Sequence, residues 1–138
     1  MIADVRAVFD TNVTVSAALL PRSVPRQAFD RAQTQGRILI SGPTAAELNE
    51  VLRRDRFDRY VGREKRLGFL ASLVRTGEMV EVTEAISDCR DPKDNKFLEL
   101  ALSGEASHIV SGDQDLLVLH PFRGIPILTP RAFLELFL

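Results

Sequence analysis

The sequence predicts a single α/β domain, with a central, mostly parallel sheet of about five strands and helices on both faces. Short apolar segments of strand length alternate with longer segments of helical spacing, which is typical of strand–helix–strand crossovers. The 138 residues are the size of one compact domain, and 45% of them are apolar, enough for a buried core. No repeat, low-complexity tract or long linker divides the sequence, so residues 1–138 are predicted to form one domain.

The first half of the chain is predicted to contain two strands and three helices. The apolar stretches at residues 5–9 and 37–41 have the length of buried strands. One helix is predicted at 13–20, ended by a proline, and a second at 25–34, closed by a glycine. A third helix begins near Pro43, because proline is favoured at the first position of a helix.

The second half continues the same alternation. Residues 53–75 keep a helical pattern with a break near Gly62, and "MVEVT" at 79–83 alternates as a strand does. Asp91 and Pro92 open a further helix. The remaining predicted elements are a strand "HIV" at 108–110, a strand "IPIL" at 125–128 and a closing helix at 130–138.

Composition narrows the classes of function. The formal net charge is −1, so any binding of nucleic acid must come from a local patch of charge. Cys89 is the single cysteine, which excludes an intrachain disulfide and fits a reducing compartment. Asp4 and Arg6 interrupt any apolar leader, and nowhere do 18 apolar residues run together. These features predict a cytoplasmic protein that does not span a membrane.

Three aspartates stand where the predicted strands end or the next helix begins. Asp10 follows the first strand directly, Asp94 lies at a helix start, and Asp113 follows "HIV". In open parallel sheets, ligands bind beyond the carboxyl ends of the strands. We therefore expect these three side chains at the same edge of the sheet.

Two of the candidate acids also have structural interpretations. Asp10 could cap the helix that follows it, although Asn12 is better placed for that task. Glu47 lies in the first turns of its helix, where an acid favours the positive helix end. Its spacing to Val51 also puts it at the border of the buried face, unlike the solvated Glu50.

The acids in the second half of the chain also have both structural and functional interpretations. Asp91 precedes a proline and is predicted to cap a helix. Asp94 could complete a capping box with Asp91, but it shares the inward face of that helix with Phe97, which favours a functional role. In "SGDQD", either Asp113 or Asp115 could cap the short helix behind it. One cap needs only one aspartate, so the second requires another explanation.

Several carboxylates at one sheet edge indicate a metal site. Their mutual repulsion must be relieved by protonation or by cations, and an all-oxygen set of ligands selects hard ions such as Mg²⁺ or Mn²⁺. His108 and His120 are the only histidines, so no zinc cluster is predicted. The sequence also lacks a phosphate-binding loop, a dinucleotide fingerprint and a serine-hydrolase elbow. Hard ions held by carboxylates, with open positions, suit the hydrolysis of phosphodiester bonds.

Separated segments of the chain, in order, resemble the PIN domain family. They are "FDTNV", the glutamate in "AAELNEVLRR", "DPKDNKFLELAL", and "ASHIVSGDQDLL" followed by "GIPILTPRAFLELF". The resemblance runs nearly from end to end. More narrowly, the chain is similar to the VapC-like PIN toxins of bacterial toxin–antitoxin pairs.

The resemblance implies a ribonuclease that uses one or two Mg²⁺ or Mn²⁺ ions. By position, the acidic quartet of the family falls on Asp10, Glu47, Asp94 and Asp113. The polar helpers of the family fall on Asn12 and Ser111. Asp115 matches a further acid with a more variable role, either a metal ligand or the cap of the helix behind it. The toxin subtype also implies an RNA substrate, a cognate antitoxin that inserts near the acids, and a homodimer.

The basic segment at residues 53–66, "RRDRFDRYVGREKR", is the candidate RNA surface, with seven basic and three acidic residues and a local charge of +4. Phe57 and Tyr60 could stack on bases, or they could belong to the core of a solvated helix pair. The predicted phosphate contacts, all basic and close in sequence to the acids, are Arg53, Arg54, Lys93 and Lys96.

Two other functions fit part of the pattern. A haloacid-dehalogenase-like phosphatase also has a strand ending in aspartate, Mg²⁺ and a doubly wound sheet. In that interpretation Asp10 is the nucleophile and position 12 should carry an acid, but here it is Asn12. A non-catalytic domain that binds RNA or a protein partner would need no metal and would tolerate the loss of any one acid.

Overall fold

The computed structural model describes residues 4–138, and its centre is a five-stranded sheet in which all neighbouring strands are parallel. The strand order is β3-β2-β1-β4-β5. The strands are β1 (Val5–Phe9), β2 (Gly36–Ile40), β3 (Glu78–Met79), β4 (His108–Val110) and β5 (Ile127–Leu128). The predicted α/β class with a parallel five-stranded sheet is confirmed.

Seven α-helices surround the sheet within residues 4–138, joined in two places by short 3-10 turns at Asp55–Phe57 and Pro92–Asp94. The helices are α1 (Thr11–Leu19), α2 (Val24–Gln35), α3 (Gly42–Leu52), α4 (Arg63–Thr76), α5 (Asn95–Ser103), α6 (Gln114–Leu117) and α7 (Pro130–Glu135). No helix in this described part of the chain is long and apolar enough to cross a membrane.

The core consists of two apolar clusters, one on each face of the sheet. Side chains alternate along β1, so Ala7 and Phe9 join one cluster and Val8 joins the other. The first cluster packs against α1, α2, α3, α4 and α7, and the second packs against α5 and α6. Both faces are therefore covered, as buried parallel sheets require.

The strand order reverses between β1 and β4. From β1 the chain builds β2 and β3 on one side, then returns to place β4 and β5 on the other. Phe9 pairs with Val110, and the Asp10 amide donates to the Val110 carbonyl at 3.1 Å. The residues that follow these two strands must therefore lie side by side, at the switch point where such sheets bind ligands.

The first helix begins at Thr11 and not at residue 13. Asp10 is its cap, because the Asp10 carboxylate accepts a hydrogen bond from the Val13 amide at 2.8 Å. The expectation that Asn12 would be the better cap was wrong, since Asn12 lies inside the first turn of α1.

The strand predicted at residues 79–83 is shorter and lies earlier than expected. Pairing with β2 stops after Met79, and the Val80 amide makes a last hydrogen bond to the Ile40 carbonyl at 2.7 Å. Because β2 ends there, the following residues have no strand to pair with. The amides of Thr83 and Glu84 instead donate to the Ser103 hydroxyl at the end of α5.

The helical pattern predicted for residues 53–75 is interrupted for ten residues between α3 and α4. Arg66 bridges this loop, because its fully buried guanidinium donates to the Leu52 carbonyl at 2.8 Å and pairs with Asp58 at 2.9 Å. Arg66 therefore closes this loop and is not part of a solvated basic surface. Phe57 packs against the core, whereas Tyr60 is 55% exposed.

Candidate active site

A polar cavity of about 260 Å³ opens where β1 and β4 end. Its acidic lining consists of Asp10, Glu47, Asp91, Asp94 and Asp113. The remaining lining residues are Thr11, Asn12, Val51, Arg54, Lys93 and Phe97. The structure thus brings all four acids of the predicted quartet to one cavity, together with Asp91, which the sequence suggested only as a cap.

Asp10 is the most buried of these acids, with 4% of its surface exposed. One carboxylate oxygen accepts from the Val13 amide, and the other accepts from the Ser111 hydroxyl. Burial raises the pKa of Asp10 above its usual value, and the charge of Asp113 adds to this, although the Ser111 and Val13 hydrogen bonds oppose it. The charged form of Asp10 is therefore only partly compensated.

Ser111 connects the residues that follow the two central strands. It is fully buried, donates to Asp10, and accepts from the Asp113 amide at 3.0 Å. A single hydroxyl thus fixes the carboxylate after β1 and the backbone after β4.

Asp113, not Asp115, caps α6. The Asp113 carboxylate accepts from the Asp115 amide at 2.9 Å, so the suggestion that Asp115 caps this helix was wrong. The Asp115 carboxylate instead accepts from the Arg90 guanidinium at 3.0 Å. Asp115 does not line the cavity within the described residues.

Asp94 ends the 3-10 turn that precedes α5, so the expected α-helix opens three residues later than predicted. Asp91 caps this turn by accepting from the Lys93 amide at 3.1 Å, as predicted. Burial, a hydrogen bond with Asp113 and the charges of Asp113, Asp91 and Asp10 raise the pKa of Asp94 to about 7. Asp94 therefore takes up a proton more readily than an ordinary aspartate, and a bound cation would relieve the same repulsion.

Glu47 lies across the cavity on α3. Its carboxylate accepts from the Lys96 ammonium at 2.8 Å and from the Thr11 hydroxyl. Burial tends to raise the pKa of Glu47, but the hydrogen bonds from Lys96 and Thr11 outweigh it and hold this pKa below its usual value. Glu47 is therefore already paired with a cation, whereas no ion pair joins Asp94 to a cation within residues 4–138.

The cavity provides oxygen donors but not a closed ligand cage. Within residues 4–138, no three acidic, histidine or cysteine side chains stand close enough together to share one ion in this arrangement. In this arrangement Glu47 is engaged by the Lys96 ammonium. The donor chemistry fits a hard divalent cation, because carboxylates line the space and two of them are under-compensated in charge.

The predicted phosphate contacts are distributed unevenly. Arg54 lines the cavity and also approaches Glu50 at 3.8 Å, and Lys93 lines the cavity too. Arg53 donates to Asn49 at 2.9 Å and lies outside the cavity lining. Lys96 faces Glu47 and is engaged in their ion pair.

The sequence model of the PIN domain family matches residues 6–115, a range that contains every acid described above. The chain belongs to the PIN domain family. PIN domains are generally nucleases and generally use divalent metal ions.

Other proteins resemble this PIN domain over most of its length. The uncharacterized protein MJ1680 of Methanocaldococcus jannaschii is 27% identical over 143 residues, spanning 96% of this chain and 92% of the relative. A chain of VapBC2 from Rickettsia felis, solved bound to a DNA fragment from its promoter, has a TM-score of 0.57 and 13% identity, covering 88% of this chain and 96% of that one. PAE2754 from Pyrobaculum aerophilum has a TM-score of 0.59 and 16% identity, covering 96% and 90%. At these identities, the two structures support the fold.

The sequence interpretation missed three features of this PIN domain site. Thr11 binds Glu47, Asp91 lines the cavity as well as capping a turn, and Lys96 is the partner of Glu47. The role of Thr11 could have been predicted from the sequence, because it is a hydroxyl residue directly after the strand-end aspartate. The Lys96–Glu47 pair joins positions 49 residues apart and has no local signature.

Proposed function

We propose that this PIN domain protein is an endoribonuclease that hydrolyses RNA phosphodiester bonds with carboxylate-held Mg²⁺ or Mn²⁺. The observation that carries the proposal is the convergence of Asp10, Glu47, Asp94 and Asp113 on one cavity at the switch point of the sheet. These four acids are proposed as both the metal ligands and the catalytic carboxylates.

The structural role of Asp10 does not explain its charge. Capping α1 requires only an acceptor oxygen, which asparagine or serine would provide without burying a carboxylate. A buried charge is costly unless it is paired or coordinates a metal, and Asp10 has no cationic partner within residues 4–138. A divalent cation in the cavity would account for retaining an aspartate at this position.

The residues of this chain would divide the work of hydrolysis. A divalent cation, when bound, supplies a Lewis acid for the phosphoryl oxygens and lowers the pKa of water. Ser111 fixes the orientation of Asp10, and Thr11 fixes that of Glu47. Arg54 and Lys93 face the same space and would hold phosphates of the RNA strand beside the acids. Water adds to phosphorus and gives up a proton, the bond from phosphorus to the leaving ribose oxygen breaks, and that oxygen is protonated.

Two further residues receive supporting roles. Asn12 is exposed at the rim of the cavity, where its amide can contact the substrate or its water. Asp115 is proposed to hold Arg90 beside the segment that carries Asp91, and not to be a principal ligand, because its carboxylate is already paired.

The experiment that tests this function is cleavage of a single-stranded RNA by the purified protein. Cleavage should require Mg²⁺ or Mn²⁺ and stop when the ions are chelated. Cleavage that survives chelation would contradict the metal site, and absence of any cleavage would favour a non-catalytic RNA-binding domain. A phosphate ester trapped on Asp10 would instead support the phosphatase interpretation, which the amide at Asn12 disfavours.

A toxin role is proposed on separate grounds. The fold shared with a chain of VapBC2 supports a cognate antitoxin. A homodimer and a cytoplasmic location are proposed from the resemblance to VapC-like toxins alone. Expression should slow growth, and coexpression of the neighbouring gene product should relieve it. Sedimentation of the purified protein tests the dimer. We further propose that the PIN domain extends past residue 115, because β5 completes the sheet by pairing with β4.

A further inference from the structure

Lys96 makes the one ion pair that involves a cavity acid among residues 4–138. It lies on the first turn of α5, two residues after Asp94, and reaches across to Glu47 on α3. The pair therefore links the two helices that form opposite walls of the cavity.

The pair is held in place from several directions. The Lys96 and Glu47 side chains are only 22% and 26% exposed, so the contact is largely shielded from water. Thr11 donates to the second carboxylate oxygen of Glu47, which leaves both oxygens engaged. The Lys96 ammonium also lies 5.9 Å from the centre of the Phe97 ring.

We propose that Lys96 is an internal counter-ion that competes with a divalent cation for Glu47. This inference rests on the proposed metal site. In the ion-free protein Lys96 neutralises Glu47, so Glu47 can become a ligand only when the ammonium is displaced. The displaced ammonium remains beside Asp94 at the cavity wall, where it can face a phosphate of the substrate. Lys96 is thus a positioning residue that limits ion affinity and links the binding of ion and substrate.

Lys93 provides a matched control. It carries the same charge and lines the cavity, but it acts on Glu47 only through its charge, since no hydrogen bond joins its ammonium to Glu47 within residues 4–138. Removing either lysine makes the cavity more negative by one charge. Only the removal of Lys96 frees Glu47.

The test is Mn²⁺ affinity, measured by electron paramagnetic resonance titration of the purified protein without RNA. We expect Lys96→Met to tighten Mn²⁺ binding about fivefold, the size of a partly shielded ion pair, and Lys93→Met to tighten it less than about twofold. Lys96→Arg should restore wild-type affinity. In a Glu47→Gln background, Lys96→Met should have no larger effect than Lys93→Met, because the carboxylate that Lys96 blocks is gone.

Equal effects of Lys96→Met and Lys93→Met would overturn the inference, as would a Lys96 effect that persists in the Glu47→Gln background. If Lys96 fails either test but Asp10→Asn still abolishes Mn²⁺ binding, the proposed metal site stands and only the role of Lys96 is rejected. If the wild-type protein binds no Mn²⁺, both the proposed metal site and the role of Lys96 are rejected. Melting curves in chelator check the fold, and Lys96→Gln carries the same expectation if Lys96→Met does not fold.

Discussion

The two walls of the acid cavity hold carboxylates in opposite ways. We call Asp10, Asp113 and the neighbouring Asp94, which lies in the turn before α5, the strand-end wall, and Glu47 on α3 the helix wall. On the strand-end wall, burial and mutual repulsion raise the pKa values of Asp10 and Asp94, and within the described residues no cation pairs with either. On the helix wall, Lys96 and Thr11 lower the pKa of Glu47 despite its burial. Similar groups in one cavity thus differ because only Glu47 is paired with a positive charge. The comparison indicates that an external cation would be needed beside Asp10 and Asp94.

Asp10→Asn should produce the largest effect, because it removes the buried charge of the strand-end wall but keeps an acceptor for the Val13 amide. We expect RNA cleavage to fall at least about 1000-fold, equivalent to the several kcal/mol that a metal site contributes to transition-state stabilisation. The melting temperature in chelator should not decrease. Asp115→Asn is the control and should keep activity near wild type, because its carboxylate does not line the cavity. If Asp10→Asn kept activity within tenfold of wild type, Asp10 would not be a metal ligand.

Ser111→Ala should have the next largest effect. It deprives Asp10 of a donor and the Asp113 amide of an acceptor. We expect cleavage to fall about 10- to 100-fold, as for other residues that orient metal ligands. The free energy of unfolding should fall by about 1–3 kcal/mol, because buried polar groups lose their partners.

Ser103→Ala provides the matched control for that variant. Its hydroxyl also binds backbone amides, those of Thr83 and Glu84, but far from the acids. It should lower stability without lowering activity per folded molecule. A loss of activity in both variants, in proportion to stability, would reduce Ser111 to a structural residue.

The pH dependence of stability should differ in sign between the two walls. In metal-free protein the raised pKa of Asp94 means that the folded state binds more protons than the unfolded state between about pH 4 and pH 7. The free energy of unfolding therefore falls as the pH rises across that range. Asp94→Asn removes this loss. Chemical denaturation at pH 8 in chelator should therefore find it more stable than wild type by about 1 kcal/mol, after solvent screening is allowed for, and the gain should vanish near pH 4.

Glu47→Gln should behave in the opposite way. The lowered pKa of Glu47 stabilises the fold above its unfolded pKa, and this contribution is lost as the pH falls through the folded value. The variant should therefore be less stable than wild type at pH 8, by up to about 1 kcal/mol, and approach wild type in acid. Shifts of the same sign for Asp94→Asn and Glu47→Gln at pH 8 would remove the contrast between the walls.

Arg54→Gln should have the smallest effect, on RNA binding and not on ion binding. Arg54 faces the cavity, whereas Arg53 bonds to Asn49 outside it. In the Asp10→Asn background, we expect Arg54→Gln to weaken RNA binding a few-fold and to reduce the salt dependence by about one unit of slope. Arg53→Gln should change the slope less, and the reverse order would place the RNA on another surface.

The sequence predicted the strand-end wall better than the helix wall, for a physical reason. Asp10 follows β1 directly and Asp113 comes shortly after β4, and the carboxyl ends of adjacent parallel strands must meet. The contact of Lys96 with Glu47 depends on how α5 packs against α3, which no local pattern encodes. Charge patterning likewise placed Arg66 on a solvated surface, although its guanidinium is buried and binds the end of α3.

Other differences between the sequence prediction and the structure arose where two neighbouring residues could equally well cap the same helix. Asp10 and Asn12 both offer an acceptor for a helix start, as Asp113 and Asp115 do for α6. The path of each preceding strand decides which one reaches the free amide, and in both cases the earlier residue is the cap. The end of β3 depends in the same way on where its partner β2 stops.

The most direct test of the strand-end wall as the cation site is anomalous diffraction from crystals of this protein grown with Mn²⁺. The account predicts an anomalous peak in the cavity, bonded to carboxylate oxygens of Asp10, Asp94 and Asp113 at oxygen-ligand distances. A cavity without a peak at saturating Mn²⁺, or a peak bound only away from these three residues, would contradict it.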